Sequence, residues 1–311
     1  TMENTRAKTT RNSLILLLTA TIWGMAFVSQ SKGMDYMHPF TFNGVRSLIG
    51  AAGILVYILI SRKIAGDKAA KLDWKLNVKA GLLCGIFLTI ASTLQQFGIK
   101  YTSVGKAGFI TTLYIIFVPM FGIFLKKKVA PVVWAAAGMA AVGMYLLCMT
   151  ESLRLGAGDI MVFLCAIAFA IQIMTVDHYA ARIDGAVVSC IQFTVCGVVC
   201  CIGALIWGQP TFGQIQEGLG ALLYAGVLSC GVGYTLQIVG QKGLNPTVAA
   251  LIMSLESVIA TISGWIAYKI GFLSTDQTLT PRQIAGCVIV FAAVILVQLP
   301  PEWFRFGKKN D

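Results

Sequence analysis

Glu256 lies about ten residues from either end of the apolar run 246–269, and it is the only acid at such depth in this sequence. An ionised carboxylate there must take up a proton or find a partner. It can bind a cationic part of a ligand or carry a proton between two faces. The packing alternative is a carboxyl that ties helices together through nearby hydroxyls, Ser254 or Ser257. Tyr114, in the apolar run 103–125, offers a phenol to orient a ligand and a ring to stack on it, with Thr111 and Thr112 adding hydroxyls beside it. The same hydroxyls can instead bond their own helix backbone. Gln95, Gln96, Gln172, Gln192 and Gln237 are amides inside apolar runs, and each must satisfy several hydrogen-bonding groups away from water. Gln172 is central in its run, and Gln95 and Gln237 are internally equivalent, so these three are cavity candidates, with interhelical packing as the alternative. Trp23 is too deep for an interfacial belt and stacks either on a ligand or in the core. The candidate substrate-binding set is Glu256, Tyr114, Trp23, Gln95, Gln172, Gln237, Thr111 and Ser254.

Other polar residues are read more plainly. Arg46, about a third of the way into its run, is taken as a structural ion pair or a snorkelling arginine rather than an anion site. Lys106 is an interfacial lysine by default. His38 and His178 stand near run ends, with no partner spacing for a metal or a triad. The nine cysteines all fall in apolar runs and read as small core residues. No catalytic residue, metal or cofactor is expected: there is no intramembrane acid pair, no histidine-based metal set, and no serine-lysine or serine-histidine constellation.

These side chains need membrane helices to position them. Of 311 residues 57% are hydrophobic and 12% charged, and the mean hydropathy is +0.79, which excludes a large water-soluble domain. Continuous runs such as Leu14 to Val28 and Ile284 to Leu299 exclude the alternating pattern of a lipid-spanning barrel. Ten runs emerge, at about 12–32, 39–61, 78–100, 103–125, 129–149, 159–180, 186–207, 218–240, 246–269 and 282–299. The first is read as a retained span, since no small-residue cleavage site follows it.

The net charge of +11 reads as topology, because its cations cluster beside apolar runs with no aromatic interleaving; nucleic acid is not an expected partner. With a cytoplasmic N-terminus, 17 cations fall on inner segments: Arg6, Lys8, Arg11, Arg62, Lys63, Lys68, Lys71, Lys75, Lys79, Lys126, Lys127, Lys128, Arg182, Lys242, Arg305, Lys308 and Lys309. Six fall on outer ones: Lys32, Lys100, Lys106, Arg154, Lys269 and Arg282. Both termini are therefore expected in the cytoplasm of a cell whose plasma or inner membrane this chain crosses many times.

A shift of 142 positions aligns Leu94, Gln95, Gly98 and Lys100 with Leu236, Gln237, Gly240 and Lys242. It continues through Ala107 on Ala249, Ile110 on Ile252, Leu113 on Leu255 and Gly122 on Gly264, and it places Tyr114 on Glu256. A shift of 148 places Gly138 on Gly286, and one of 146 places Arg46 on Gln192. Five spans per copy is an odd number, so the second copy must be inverted, which brings Tyr114 and Glu256 face to face near the midplane. Bending points are expected at Gly231-Val232-Gly233 and at Pro119.

Trp23-Gly24, Arg46, Gly98-Ile99-Lys100-Tyr101-Thr102-Ser103 and Leu255-Glu256, in this order on a duplicated chain, resemble the EamA-type ten-helix members of the drug/metabolite transporter superfamily. The resemblance covers residues 12–149 and 158–299. It departs at Ser257, where a proline that would kink the ninth helix is common, and at Lys126 to Lys128, which replace an acid. It implies an all-α membrane protein of ten transmembrane helices in two inverted five-helix repeats. Spans 1, 3, 4, 6, 8 and 9 surround a cavity, and spans 5 and 10 lie at the periphery, in a monomer or homodimer among membrane lipids. It also implies alternating-access export of small organic metabolites, amino acids or related compounds and drugs among them. Proton coupling through Glu256 and facilitated diffusion both stay open. The alternatives are a lipid or lipid-linked sugar flippase and, with less support, a membrane-embedded enzyme.

Overall fold

The computed structural model describes residues 2–66, 71–126, 129–148, 156–274, 276–278 and 280–298. Lys68, Lys127, Lys128, Arg154, Arg305, Lys308 and Lys309 lie outside them, as do the side chains of Arg6 and Cys148 and the ends of the fifth and tenth runs. All the regular structure among the described residues is helical. In chain order come α1 (Met2–Gly33), α2 (Pro39–Ala65), α3 (Trp74–Ile99), α4 (Val104–Thr112), α5 (Tyr114–Phe124), α6 (Pro131–Cys148), α7 (Ala157–Tyr179) and α8 (Gly185–Gly203). Then follow α9 (Phe212–Glu217), α10 (Leu219–Leu223), a π-helical stretch Tyr224–Gly233, α11 (Tyr234–Gly240), α12 (Pro246–Met253), α13 (Glu256–Lys269) and α14 (Pro281–Gln298). Helix starts follow local chemistry. His38, Asp73, Ser103, Asp184 and Asn245 each cap the next helix with a side-chain acceptor, and Pro39 and Pro246 open helices where no N–H is needed.

Among the described residues, eight segments are long and apolar enough to cross a membrane, Val104–Phe124 and Pro246–Lys269 counting as one each. Two further apolar helices, α6 and α14, 18 residues each, stand where the fifth and tenth spans were expected, and they pack mainly on each other. Gly143 makes the approach possible: a Cβ there would lie 2.9 Å from the backbone oxygen of Gly286. The other principal pairings are α2 on α8, α3 on α7 and α8, α1 on α13, and α2 and α1 on the π-helical stretch.

The fourth and ninth segments are each broken, and at the same place under the 142-residue shift. Leu113 separates α4 from α5, and Ser254 and Leu255 separate α12 from α13. The breaks tighten the chain: Leu113 N bonds Ile110 O at 3.2 Å, and Leu255 N bonds Ile252 O at 3.3 Å. Side chains hold them. Thr112 Oγ1 donates to Phe109 O at 2.9 Å, and Ser254 Oγ donates to Leu251 O at 2.7 Å. The ninth helix thus breaks without a proline. In the fourth, Pro119 lies inside α5 and the break falls six residues earlier than expected. The bend expected at Gly231 to Gly233 is the end of the π-helical stretch.

Gly24 lets α1 approach the second break. A Cβ at Gly24 would meet Ile259 Cβ at 2.6 Å and the Glu256 backbone oxygen at 2.7 Å, and a backbone carbonyl cannot step aside. Gly24→Ala is expected to cost about 1–3 kcal/mol by overpacking. Gly138→Ala, with nothing within 4 Å of the added methyl, should be neutral. Thermal melts of the purified variants test the contrast, and equal melting temperatures would refute it.

Candidate functional site

Tyr114 and Glu256 are the first residues of the half-helices that follow the two breaks, and they meet: Tyr114 Oη donates to Glu256 Oε1 at 2.9 Å. Both are buried in a small internal cavity of about 30 Å³, room for about two water molecules. All 18 residues around it are buried.

Seven of the eight residues expected to bind a ligand line this cavity: Glu256, Tyr114, Trp23, Gln95, Gln172, Gln237 and Thr111. Gln95 Nε2 donates to Thr111 Oγ1 at 3.2 Å and joins α3 to α4. Gln172 and Gln237 exchange amide bonds at 3.4 and 3.1 Å and join α7 to α11. The indole of Trp23 packs on Tyr234 with ring centroids 4.5 Å apart, while its Nε1 has no hydrogen-bond partner among the described residues. Ser254 is buried but absent from the wall, because its hydroxyl holds the α12–α13 break.

The residue that sequence reasoning undervalued is Arg46. It is neither snorkelling nor ion-paired. Its side chain is buried and lines the same cavity as Glu256; Nε donates to Asn43 Oδ1 at 3.0 Å, and the guanidinium stands 5.5 Å from the Phe42 ring. Asn43 is fixed in turn by Ser92 Oγ at 3.0 Å and by the sulfurs of Cys196 and Cys200. Neither Arg46 nor Glu256 belongs to an ion pair among the described residues. Gln30, Ser92, Ser229 and Tyr234 also line the wall, and Gln30 Oε1 lacks a partner among the described residues. A signal for Arg46 was present in the sequence, a cation inside a span, but run boundaries do not say which helix face meets the bundle interior. Lys106, expected as an interfacial lysine, places its ammonium 2.6 Å from Asp159.

Chemically, the wall offers one carboxyl, one guanidinium, amides, hydroxyls and aromatic faces. Buried unpartnered groups such as Trp23 Nε1 and Gln30 Oε1 add a free donor and a free acceptor.

Comparison with known proteins gives a consistent result. The family model described as the EamA-like transporter family matches residues 11–149 and 156–299. An uncharacterized transporter of Archaeoglobus fulgidus is 28% identical over 290 residues, covering 91% of this chain and 84% of the relative. The uncharacterized transporter YwfM of Bacillus subtilis is 24% identical, covering 93% of this chain and 94% of YwfM. One crystal structure superposes with a TM-score of 0.73 at 16% identity, over 96% of this chain and 99% of the other, a likeness of fold alone.

Proposed function

Since the chain belongs to the EamA-like transporter family and is a multi-pass membrane protein, a transporter rather than an enzyme, we propose that its substrate is a small zwitterion such as an amino acid or a related metabolite. The observation that carries this reading is the placement of one buried carboxyl, Glu256, and one buried guanidinium, Arg46, on a single cavity wall with no ion pair between them. A buried charge without a partner is costly, and a ligand with an ammonium and a carboxylate satisfies both groups at once. Glu256 takes the ammonium and Arg46 the carboxylate. Tyr114, Trp23, Gln95, Gln172, Gln237 and Thr111 orient the rest, and Ser254 serves by holding the break.

The transport cycle in this reading is alternating access, directed outward, by rocking of two inverted five-helix repeats, residues 12–149 and 158–299. The helix pairings support it. Under the five-helix repeat the α3–α7 contact maps onto that between α1 and the eighth segment. The contact of α1 with α13 maps onto that of α7 with the α4–α5 pair, while α2–α8 and α6–α14 map onto themselves. Ten spans, both termini in the cytoplasm and a plasma-membrane location complete the proposal, on the bias of cations toward one set of segments. The enclosed cavity holds too little space for an amino acid, so the described form is a closed one whose walls must part on loading.

The test is thermal stabilisation of detergent-purified protein by an amino acid such as leucine, beside analogues lacking either its amine or its carboxylate. The zwitterion is expected to stabilise and the singly charged analogues to fail. Equal stabilisation by one analogue would overturn the two-charge site, and stabilisation by lipid-linked sugars alone would favour a flippase.

A further inference from the structure

A groove of about 640 Å³ opens at one end of the bundle, between the end of α2, the α7–α8 turn and the end of α11. Arg62, Lys71, Arg182 and Lys242 line it, and so do Asp73 and Asp184. Both carboxylates are engaged as helix caps. Asp73 accepts from Leu76 N at 3.0 Å, and Asp184 accepts from Ala186 N and Val187 N at 2.9 and 3.1 Å. Four cations against two acids leave the groove two charges positive.

A second groove of about 440 Å³ runs on from the first, sharing Tyr57, Thr235 and Val239 with it. It lies between α2 and the π-helical stretch and is otherwise apolar, walled by residues such as Gly50, Gly53, Ile54, Val232 and Leu236. A cationic mouth leading into an apolar trough along membrane helices matches one molecular shape. A soluble anion gains nothing from the trough, and a neutral lipid gains little from the cations.

We propose that the composite groove binds one anionic phospholipid of the phosphatidylglycerol class. The head group lies among Arg62, Arg182 and Lys242, and an acyl chain lies in the trough. Its leaflet, the cytoplasmic one, rests on the orientation proposed above; the site itself does not. The trough follows the helices that carry Arg46 and Gln237, so the lipid packs behind the cavity wall.

Native mass spectrometry of the detergent-purified full chain with phosphatidylglycerol and phosphatidylcholine of matched chains tests this, whichever way the protein faces and whatever it transports. Phosphatidylglycerol is expected to bind at least about tenfold more tightly, and Arg62→Gln with Arg182→Gln to lose about fivefold for each cation removed. Gly53→Phe probes the other arm. Gly53 lines the trough and no atom lies within 4 Å of a Cβ built there, so the ring starts in open space, is expected to occupy the trough and should expel the lipid. Equal binding of the two lipids, unchanged binding to Gly53→Phe, or equally tight binding of glycerol phosphate alone would each overturn the proposal. Gly53→Phe decides if the double charge variant fails to fold.

Discussion

Glu256→Gln is expected to lower the transport rate, and the affinity for a zwitterionic ligand, by about tenfold to a hundredfold while leaving the fold intact. The magnitude follows from the worth of a hydrogen bond to a charged group, about 1.5–3 kcal/mol, at about 1.4 kcal/mol per tenfold. The fold survives because glutamine keeps an oxygen where Tyr114 Oη donates, so the contact that joins the two half-helix starts is retained. What disappears is the negative charge that receives an ammonium. Tyr114→Phe makes the opposite change: the carboxyl stays, and a buried acceptor loses its 2.9 Å partner. That variant should melt lower than Glu256→Gln and retain more of the ligand response. Liposome flux and ligand-dependent melting of both variants give the answer. If Glu256→Gln transports and is stabilised like the wild type, the carboxyl is only a helix tie.

How far these features were legible depends on whether sequence carries them locally. Tyr114 opposite Glu256 was legible, because the 142-position shift pairs the two residues, and they do meet through a hydrogen bond. The glutamines were legible for a related reason: an amide in an apolar run has to turn inward. Arg46 was misjudged because depth along a run says nothing about helix face, and Asn43, which orients it, was not among the candidates. The helix breaks were sought at Pro119 and at a missing proline, whereas Thr112 and Ser254 make them by bonding their own backbone three residues back. The fifth and tenth spans were legible as apolar runs, but not their mutual packing. These runs are real helices, α6 and α14 of 18 residues each, and they form a mutually packed pair whose closeness depends on Gly143. The cationic groove was invisible because its lining comes from three separate connections.

Asp159→Asn is expected to raise the fraction of molecules open at that end of the bundle by about tenfold to a hundredfold. A single carboxylate ties three segments together at this end. Asp159 Oδ2 takes Lys106 Nζ at 2.6 Å and Gly156 N at 2.8 Å, while Oδ1 takes Thr102 Oγ1 at 2.9 Å. It thereby ties the start of α7 to the α3–α4 turn and to the start of α4. Under the proposed repeat the corresponding junction at the other end has no carboxylate: Asn12 Nδ2 donates to Lys242 O at 2.7 Å and ties α1 to the segment after α11, while Asn12 Oδ1 takes only long contacts of 3.4 Å from its neighbour Arg11. Charge-assisted bonds are about twice as strong as neutral ones, so the two ends are held unequally. An alternating carrier must break the Asp159 cluster each time it opens there. Asparagine keeps the shape and the Thr102 contact but gives up the ion pair, a loss of about 1.5–3 kcal/mol from the closed form alone. Cys230 provides the readout, because it lines the cavity and is only 1% exposed in the closed form. With Cys230 as the sole cysteine, a membrane-impermeant maleimide should label Asp159→Asn faster from the Asp159 side. Asn12→Ala should accelerate labelling from the other side, and by less. A folded Asp159→Asn protein that labels at the wild-type rate would show that the cluster stabilises the fold without gating it. Salt should imitate the substitution only in small part, because the Asp159 side chain is 4% exposed and that of Lys106 20%, and a partly buried pair is screened less than an exposed one.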